Sequence, residues 1–478
     1  MDLKKDIKKI TADISPVIEG ILRDIWNYAE GGYREFRSSE RLITVLRDEG
    51  FRVTTGIAGI PTAFVAEYGS GSPVIGITAE YDALPGMSQE AACPERKPIP
   101  DRDHGHGCGH CALSAGSVGG AIAAKRWLSE TGREGTVKLF GTPAEESGFG
   151  KVFMAREGVF DGIDAVFTWH PGDVNSVSSF RMNANFKVRF DFRGVPAHAA
   201  AAPDKGRSAL DACELMNVGV NYLREHVPST VRMHYAYLDA GGEAPNVVQE
   251  KASLLYVIRA PKLATASEVE KRVENVARGA ALMTGTEVNI RILGGMSDVI
   301  PNPTLSEVLT ECFEGSGGPD WDEEDFALAR KYVAGLGEEE RRQLIENGAK
   351  ANGMSEEEFS ERPLNSYVRG YDPLRRSYVV AASSDVGDLS YIAPVGQFNA
   401  AVGIPGTGVH TWQMTSQVGS SIGIKGAVFA ARMIAEACAR VWCDPSAAEK
   451  AKAELTEETG GVYVSPLPED ARPGTIGE

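Results

Sequence analysis

Apolar residues at Ile7, Ile10, Ile14, Val17, Ile18, Ile21 and Leu22 return at roughly helical spacing, which predicts helices across residues 2–50. The last of these runs from Glu40 to Asp48 and stops before Gly50. The pattern then changes. Val53 to Tyr68 and Val74 to Ala79 are rich in β-branched and apolar residues and are separated by Gly69-Ser70-Gly71-Ser72, which predicts a hairpin. Small residues from Ala112 to Ala124 predict a closely packed helix, and segments 136–140 and 165–169 predict buried strands. Strands alternating with helices predict an α/β sheet, with functional loops at the strand ends.

Near Asn183 the pattern shifts again. Asn185 to Phe192 alternates like a half-exposed strand, Ser208 to Glu225 is helical, and Tyr235 to Ala240 and Leu254 to Arg259 are strands. A helix from Ala266 to Thr284 and a strand from Val288 to Leu293 complete a β-α-β-β-α-β order, that of a small ferredoxin-like α+β domain. The expected division is a larger domain made of residues 1–184 and 296–446, the inserted domain 185–295, and a tail 447–478. Within the larger domain, residues of about 312–375 form a charged helical insertion whose runs, such as Glu338-Glu339-Glu340-Arg341-Arg342, read as a solvated face. Leu389 to Gly396 and Ala400 to Gly403 resume the larger sheet, and Ile424 to Val441 is a closing helix. The tail is charged, then rich in Pro and Gly, and is expected to fray.

Length agrees with two domains, since 478 residues exceed one ordinary core. A hydrophobic content of 42% and a charged content of 24% fit a soluble globular chain. The net charge of −17, from 49 basic and 66 acidic residues, argues against nucleic acid and against an anionic membrane surface as partners. No apolar run reaches the roughly 18 residues of a membrane span, and the N-terminus lacks the apolar core of a signal peptide. Seven cysteines, five of them scattered and Cys108 and Cys111 close together, do not make a disulfide framework, so the expected compartment is the cytoplasm.

Scarcity then points to chemistry. Of eight histidines, three fall in His104-Gly105-His106-Gly107-Cys108-Gly109-His110. Imidazole and thiolate together suit zinc, manganese or cobalt better than calcium or magnesium. Cys108 and His110 are two apart and cannot share a helix face, so they need a loop, to which Gly107 and Gly109 lend freedom. Glu145 and Glu146 follow a buried strand and Pro143; their side chains diverge outside a helix, so one can bind metal while the other holds a proton. His170 ends an apolar strand and His410 sits in the Gly-rich segment 406–411. Either alone reads as an ordinary histidine; assembled, these residues form an N/S/O set able to hold two cations.

These stretches resemble the aminoacylase/carboxypeptidase family of dinuclear metallohydrolases, in its amidohydrolase branch of indole-acetyl-amino-acid and p-aminobenzoyl-glutamate hydrolases. The resemblance rests on Ala79-Glu80-Tyr81-Asp82-Ala83-Leu84-Pro85, His106 to His110, Pro143 to Glu146, His170, Gly194 to Ala200, Pro245 to Val248, Ile258 to Pro261, Ser384 to Asp388 and His410, in family order along nearly the whole chain. It implies a mixed-sheet α/β catalytic domain carrying the inserted ferredoxin-like domain as a lid and dimerisation domain. It implies Cys108, His110, Glu146, His170 and His410 as ligands of two divalent cations, Zn or Mn. Glu145 would be the general base and proton shuttle, Asp82 a supporting residue, and His198 a group that polarises the substrate, often across a dimer interface. Asn246 and Arg259 would meet the substrate's polar end.

The implied reaction is metal-assisted hydrolysis of an N-acyl or N-aroyl amino acid by a homodimer, or by a hetero-oligomer with a related subunit. Competing readings are deamination of an aromatic amine at the same site, a non-catalytic metal-binding subunit, and a hydrolase with Cys108 as nucleophile. The chain departs from its branch at Gly107, where Ala is usual, and at Cys111, where Asn or Asp is usual. Cys111 would place a thiol beside a ligand. His104 reads as a solvent-exposed bystander.

Overall fold

A computed structural model describes residues 3–474 of the chain; Met1, Asp2 and residues 475–478, the extreme ends of the expected first helix and tail, lie outside the described residues. The chain divides into two compact units. One contains the chain up to Phe180, Pro301–Ser377 and Leu389–Tyr463; the other contains Arg181–Ile300, Tyr378–Asp388 and the chain from Val464 on.

In the larger unit the N-terminal periodicity resolves into helices Leu3–Asp13, Ser15–Tyr28 and Phe36–Asp48, whose apolar positions are buried. Among the described residues, seven strands form one mixed sheet. Its order is Arg52–Thr55, Phe64–Ser70, Gly135–Gly141, Val74–Ala79, Ala165–Gly172, Val395–Ala401 and Ser176–Val177. The expected hairpin between 53–68 and 74–79 is not formed. Gly135–Gly141 lies between Phe64–Ser70 and Val74–Ala79, antiparallel to the first and parallel to the second. The hairpin lies earlier, between Arg52–Thr55 and Phe64–Ser70. The physical reason is burial: Gly135–Gly141 is buried at six of its seven positions and belongs in the sheet interior, where strands are covered on both faces.

The helix His110–Thr131 connects Val74–Ala79 to its parallel neighbour and is buried almost throughout its first four turns. Its small side chains let it pack against the closing helix Ser421–Cys443. The charged insertion forms helices Glu323–Ala334, Glu338–Asn352 and Glu356–Glu361 around a small core that includes Phe326, Leu344 and Phe359 and takes in Ile404 and Ile422 from outside the insertion. The expectation of a fraying tail from 447 is corrected over its first part. Ser446–Thr459 is a helix that buries Ala448, Ala451 and Leu455, so its apolar stripe outweighs its charge.

In the smaller unit the strands Ala184–Arg193, Arg232–Asp239, Lys251–Ala260 and Glu287–Met296 alternate with helices Ala209–Leu223 and Leu263–Thr284 in the expected β-α-β-β-α-β order. Numbered in chain order, these strands stand 4-1-3-2 in an antiparallel sheet. One face buries Phe186, Val188, Phe190 and Leu254 with the two helices.

Candidate metal centre

The site is built at the ends of the parallel strands of the larger sheet. Val74–Ala79 runs out into Glu80, Tyr81 and Asp82; Gly135–Gly141 runs into Pro143-Ala144-Glu145-Glu146; Ala165–Gly172 carries His170 near its end. Cys108 occupies the loop before the helix that begins at His110. Gly109 takes φ +82°, and a Cβ there would meet Pro171 at 2.7 Å, so the turn between the two donors needs glycine on both counts. Gly107 does not have a left-handed φ; its carbonyl accepts the His410 amide at 2.7 Å, tying together the loops that carry Cys108 and His410. His410 itself holds φ +61°, a strained value for a side chain of its size.

The five expected donors come together. Ligand atoms of Cys108, His110 and His170 lie within 4.8 Å of one another, and so do those of Cys108, Glu146 and His410. A third set on the same criterion joins His110 to Glu80 and Glu145. Cys108 is common to the first two sets, so the donors define two adjoining cradles. Glu145 and Glu146 fall in different sets, as expected of side chains that diverge.

Two of the imidazoles are oriented by their other nitrogen. His110 Nδ1 lies 2.8 Å from Asp82 Oδ1 in a fully buried contact, which turns Nε2 into the cluster. That Nε2 lies 3.3 Å from Glu80 Oε2 but makes no hydrogen bond among the described residues. His170 Nδ1 donates to the Pro171 carbonyl at 2.8 Å and its Nε2 lies 3.5 Å from Cys108 Sγ. His410 Nε2 lies 3.2 Å from Glu146 Oε2. The other carboxylate oxygen, Glu146 Oε1, is buried and without a hydrogen-bond partner among the described residues.

The electrostatics fit a cation. Burial pushes the Cys108 thiol far up, so a thiolate there needs a strong positive partner. Burial opposes charge on Glu146 too, but the hydrogen bond from His410 and the nearby His110 outweigh it and hold the carboxyl below its ordinary value. Burial lowers His170, which favours the neutral imidazole that ligates metals. Two buried polar atoms without hydrogen-bond partners among the described residues, set among S, N and O donors, are costly in an apolar interior and fit a divalent metal.

The sequence reading missed Glu80 and Lys151 as partners in the site. They form a buried pair, Lys151 Nζ to Glu80 Oε1 at 2.6 Å, beneath His110. The desolvation of Glu80 is outweighed by Lys151 and its carboxyl stays below the ordinary range. The only signal available was Glu80 at a strand end within the Ala79-Glu80-Tyr81-Asp82 run; Lys151 lies in a helical segment with nothing local to mark it.

The other Cys and His residues near the cluster are not among its donors. Cys111 is fully buried in the main apolar core rather than set among the donors, and burial pushes its thiol up to about 12. His106 is buried with Nε2 3.0 Å from the Ile25 carbonyl, and burial takes it down to about 3, so it is a neutral structural histidine. His104 is partly exposed and lies 3.3 Å from Asp103. A cavity of about 770 Å³ flanked by Tyr332, Leu344, Tyr367, Thr411 and Trp412 shares the His410 loop, but none of the five donors lines it; the donors locate the chemistry.

His198, Asn246 and Arg259 belong to the smaller unit. His198 Nδ1 accepts from the amides of Ala200 and Ala201, both at 3.2 Å, which leaves the proton on Nε2. The Ala199 amide donates to the Asn246 carbonyl at 2.9 Å, so the His198 and Asn246 segments run side by side. Arg259 stands in register with Asn185 and Arg232 on the neighbouring strands, and its Nε is buried without a hydrogen-bond partner among the described residues.

Fold and site define a metal-dependent amidohydrolase, and the chain belongs to peptidase family M20/M25/M40, whose model matches residues 76–324. It is 40% identical over 461 residues to one of the subunits of p-aminobenzoyl-glutamate hydrolase of Escherichia coli (strain K12), covering 95% of each chain. It is 32% identical over 302 residues to an Xaa-Arg dipeptidase of Mus musculus, covering 60% of this chain and 66% of that protein. Among solved structures, a dinuclear metal binding peptidase of the M20 family from Bacillus subtilis superposes with a TM-score of 0.59 at 16% identity, over 91% of this chain and 99% of that one. Among the described residues no helix is long and apolar enough to cross a membrane.

Proposed function

We propose that this protein hydrolyses the amide bond of an N-aroyl or N-acyl amino acid, with p-aminobenzoyl-glutamate as the leading candidate, at a site of two divalent cations, Zn or Mn. The observation that carries the reading is the pair of buried atoms without a hydrogen-bond partner among the described residues, His110 Nε2 and Glu146 Oε1, within a five-donor cluster that has a second carboxylate, Glu145, beside it. The 40% identity to a p-aminobenzoyl-glutamate hydrolase subunit along nearly the whole chain supports the substrate class. Cys108, His110, Glu146, His170 and His410 would hold the cations. Two divalent ions at such a site supply Lewis acidity, making a water more acidic and a carbonyl more electrophilic.

The protein's own residues do the rest. Glu145 takes a proton from the attacking water as its oxygen bonds to the carbonyl carbon, and hands that proton to the amine as the C–N bond breaks. Asp82 keeps His110 in one tautomer. His198, with its proton on Nε2, donates to the carbonyl oxygen as negative charge develops there. Arg259 offers a planar fork to the carboxylate of the amino acid, and Asn246 a polar contact. Residues 185–295 serve as lid and dimerisation domain. The working unit is a cytoplasmic homodimer, or a hetero-oligomer with a related subunit, a reading supported by two relatives that are different subunits of p-aminobenzoyl-glutamate hydrolase.

The test is to strip the purified protein with a chelator, reload it with Mn²⁺ or Zn²⁺, and offer aroyl-glutamates, indole-acetyl-aspartate and dipeptides. The expected result is metal-restored release of free acid and free amino acid, fastest for an aroyl-glutamate. Ammonia released from the ring amine with the amide intact would replace this reading by deamination. Activity that survives chelation would point to Cys108 as nucleophile.

A further inference from the structure

The turn that carries both carboxylates is not held by its own sequence alone. Ala144, directly before Glu145, has φ +57° and ψ +41°, the left-handed region that an alanine enters only at a cost. Its carbonyl accepts from the Gly148 amide at 2.9 Å, and the Gly148 carbonyl accepts from the Tyr33 hydroxyl at 2.5 Å. These contacts fix the far end of the turn. The near end is fixed by two buried carboxyl groups: Asp82 Oδ2 accepts the Glu146 amide at 3.0 Å and Glu35 Oε1 accepts the Ala144 amide at 2.8 Å. Asp82 and Glu35 thus take alternate amides of one short turn.

Glu35 is fully buried and takes no part in the hydrolysis itself. It sits immediately before the helix Phe36–Asp48, 109 residues along the chain from the Ala144 it touches. Its second oxygen accepts from Thr62 Oγ1 at 3.1 Å, and Thr62 is in turn held by the Tyr81 hydroxyl, which donates to its carbonyl at 2.6 Å. Tyr81 is the chain neighbour of Asp82, so Asp82, Tyr81, Thr62 and Glu35 close a ring of buried contacts around the turn.

We infer that Glu35 is a positioning residue, which with Asp82 grips the Ala144 and Glu146 amides, keeps Ala144 left-handed, and so sends Glu145 and Glu146 into their separate places in the cluster. The inference rests on the reading of Glu145 as proton shuttle and Glu146 as ligand. The contact needs an acceptor at Oε1, not a negative charge. Burial, with Asp82 adding to it, raises the Glu35 carboxyl to about 8 in the metal-free protein, which favours the neutral form, and glutamine keeps the acceptor oxygen.

The experiment compares Glu35→Ala, Glu35→Gln and the double variant Glu35→Ala/Ala144→Gly as purified full-length proteins. Two readouts are taken: Mn²⁺ affinity by calorimetry on chelator-stripped protein, and kcat and KM after reloading. Glu35→Ala is expected to lower kcat about 30-fold with KM little changed, the scale of a misplaced reacting group, and to weaken Mn²⁺ binding about tenfold, as loss of an outer support does. Glu35→Gln should stay within about threefold of wild type in both, since it keeps the acceptor oxygen. Glycine adopts the left-handed conformation freely, so Ala144→Gly in the Glu35→Ala background should recover at least part of both losses. Wild-type metal binding and turnover with full retention in Glu35→Ala would overturn the inference, as would Glu35→Gln as damaged as Glu35→Ala, or a double variant no better than Glu35→Ala. A wild type that neither binds metal nor hydrolyses would instead defeat the functional reading. Should Glu35→Ala not fold, hydrogen exchange on the wild-type protein decides: the Ala144 amide must exchange as slowly as the amides of strand Gly135–Gly141, and rapid exchange would sink the clamp.

Discussion

Most candidate site residues of the two units are held differently, with exposed His410 in the first group and half-buried Arg259 in the second as exceptions. In the larger unit, Cys108, His110 and the Glu146 side chain are buried or nearly so, and contacts to Asp82 and to the Pro171 carbonyl orient His110 and His170. In the smaller unit, His198 and Asn246 are more open to solvent, and the His198 ring accepts from the backbone amides of Ala200 and Ala201. The difference follows from what each group must meet. Desolvated donors without protein partners are costly, and the compensation is a small ion of fixed charge, so the cluster has to be built in advance. Groups that grip a substrate can stay in water at little cost until the substrate arrives. Damage to the first group should therefore appear in metal content and rate together, and damage to the second in rate alone, with Glu145 the informative exception.

Glu145→Gln tests that exception and carries the largest expected effect. A neutral amide cannot take the proton from water, so kcat should fall about 10³-fold, within the range for a general acid–base group. Metal content measured by plasma emission should stay at the wild-type level if, as proposed, Glu146 supplies the ligand oxygen. A variant that loses its metal would make Glu145 a ligand and dissolve the division of labour between the two carboxylates.

His198→Ala comes next. Loss of a donor to the developing oxyanion should lower kcat about 10²-fold, with Mn²⁺ affinity unchanged because His198 is outside the donor set. Reduced affinity would break the contrast between the two groups. Asp82→Asn sits on the other side of the comparison. It keeps the shape but leaves the His110 tautomer undetermined and can offer an NH₂ where the Glu146 amide needs an acceptor. Metal affinity should drop about 10–100-fold, the usual consequence of losing the support behind a ligating histidine. Unchanged affinity in a calorimetric titration would show that burial alone orients His110.

Much of this site was legible in the sequence because scarce residue types stood close together. Cys108 and His110 are conspicuous among eight histidines and seven cysteines, and Glu145-Glu146 after a buried strand is an unusual place for charge. The smaller unit was legible because its periods alternate cleanly, and the β-α-β-β-α-β order leaves few sheet topologies. Strand order in the larger sheet was not, since alternation tells which face is buried but not which neighbour is taken; hence the hairpin assigned across Gly69–Ser72. Glu35, Glu80 and Lys151 escaped for a related reason. Each is a common charged residue in an unremarkable local setting, and its importance comes from a partner far along the chain: Ala144 for Glu35, and each other for Glu80 and Lys151.

The last expected effect is on stability, and it bears on how far the built-in group extends beyond the ligands. Glu35 has an ordinary value of 4.5 when unfolded and about 8 when folded, raised first by burial and then by the Asp82 charge, against the lowering hydrogen bonds from Ala144 and Thr62. Well below pH 4.5 both states carry the proton. Between 4.5 and 8 the folded chain binds up to one proton more than the unfolded chain, so this contribution to stability is lost as pH rises, at no more than about 1.4 kcal/mol per pH unit. Above about pH 8 both states are ionised and the slope vanishes. Glu35→Gln cannot titrate. In denaturant titrations of chelator-stripped protein from about pH 5 to 9, the stability difference should move steadily against the wild type up to about pH 8 and then level off. Asp82→Asn removes one source of the shift, and in that background the same difference should shrink and level off at a lower pH. Parallel wild-type and Glu35→Gln curves throughout would mean that Glu35 is ionised when folded, and a buried anion beside Asp82 would then need a cation that the clamp does not contain.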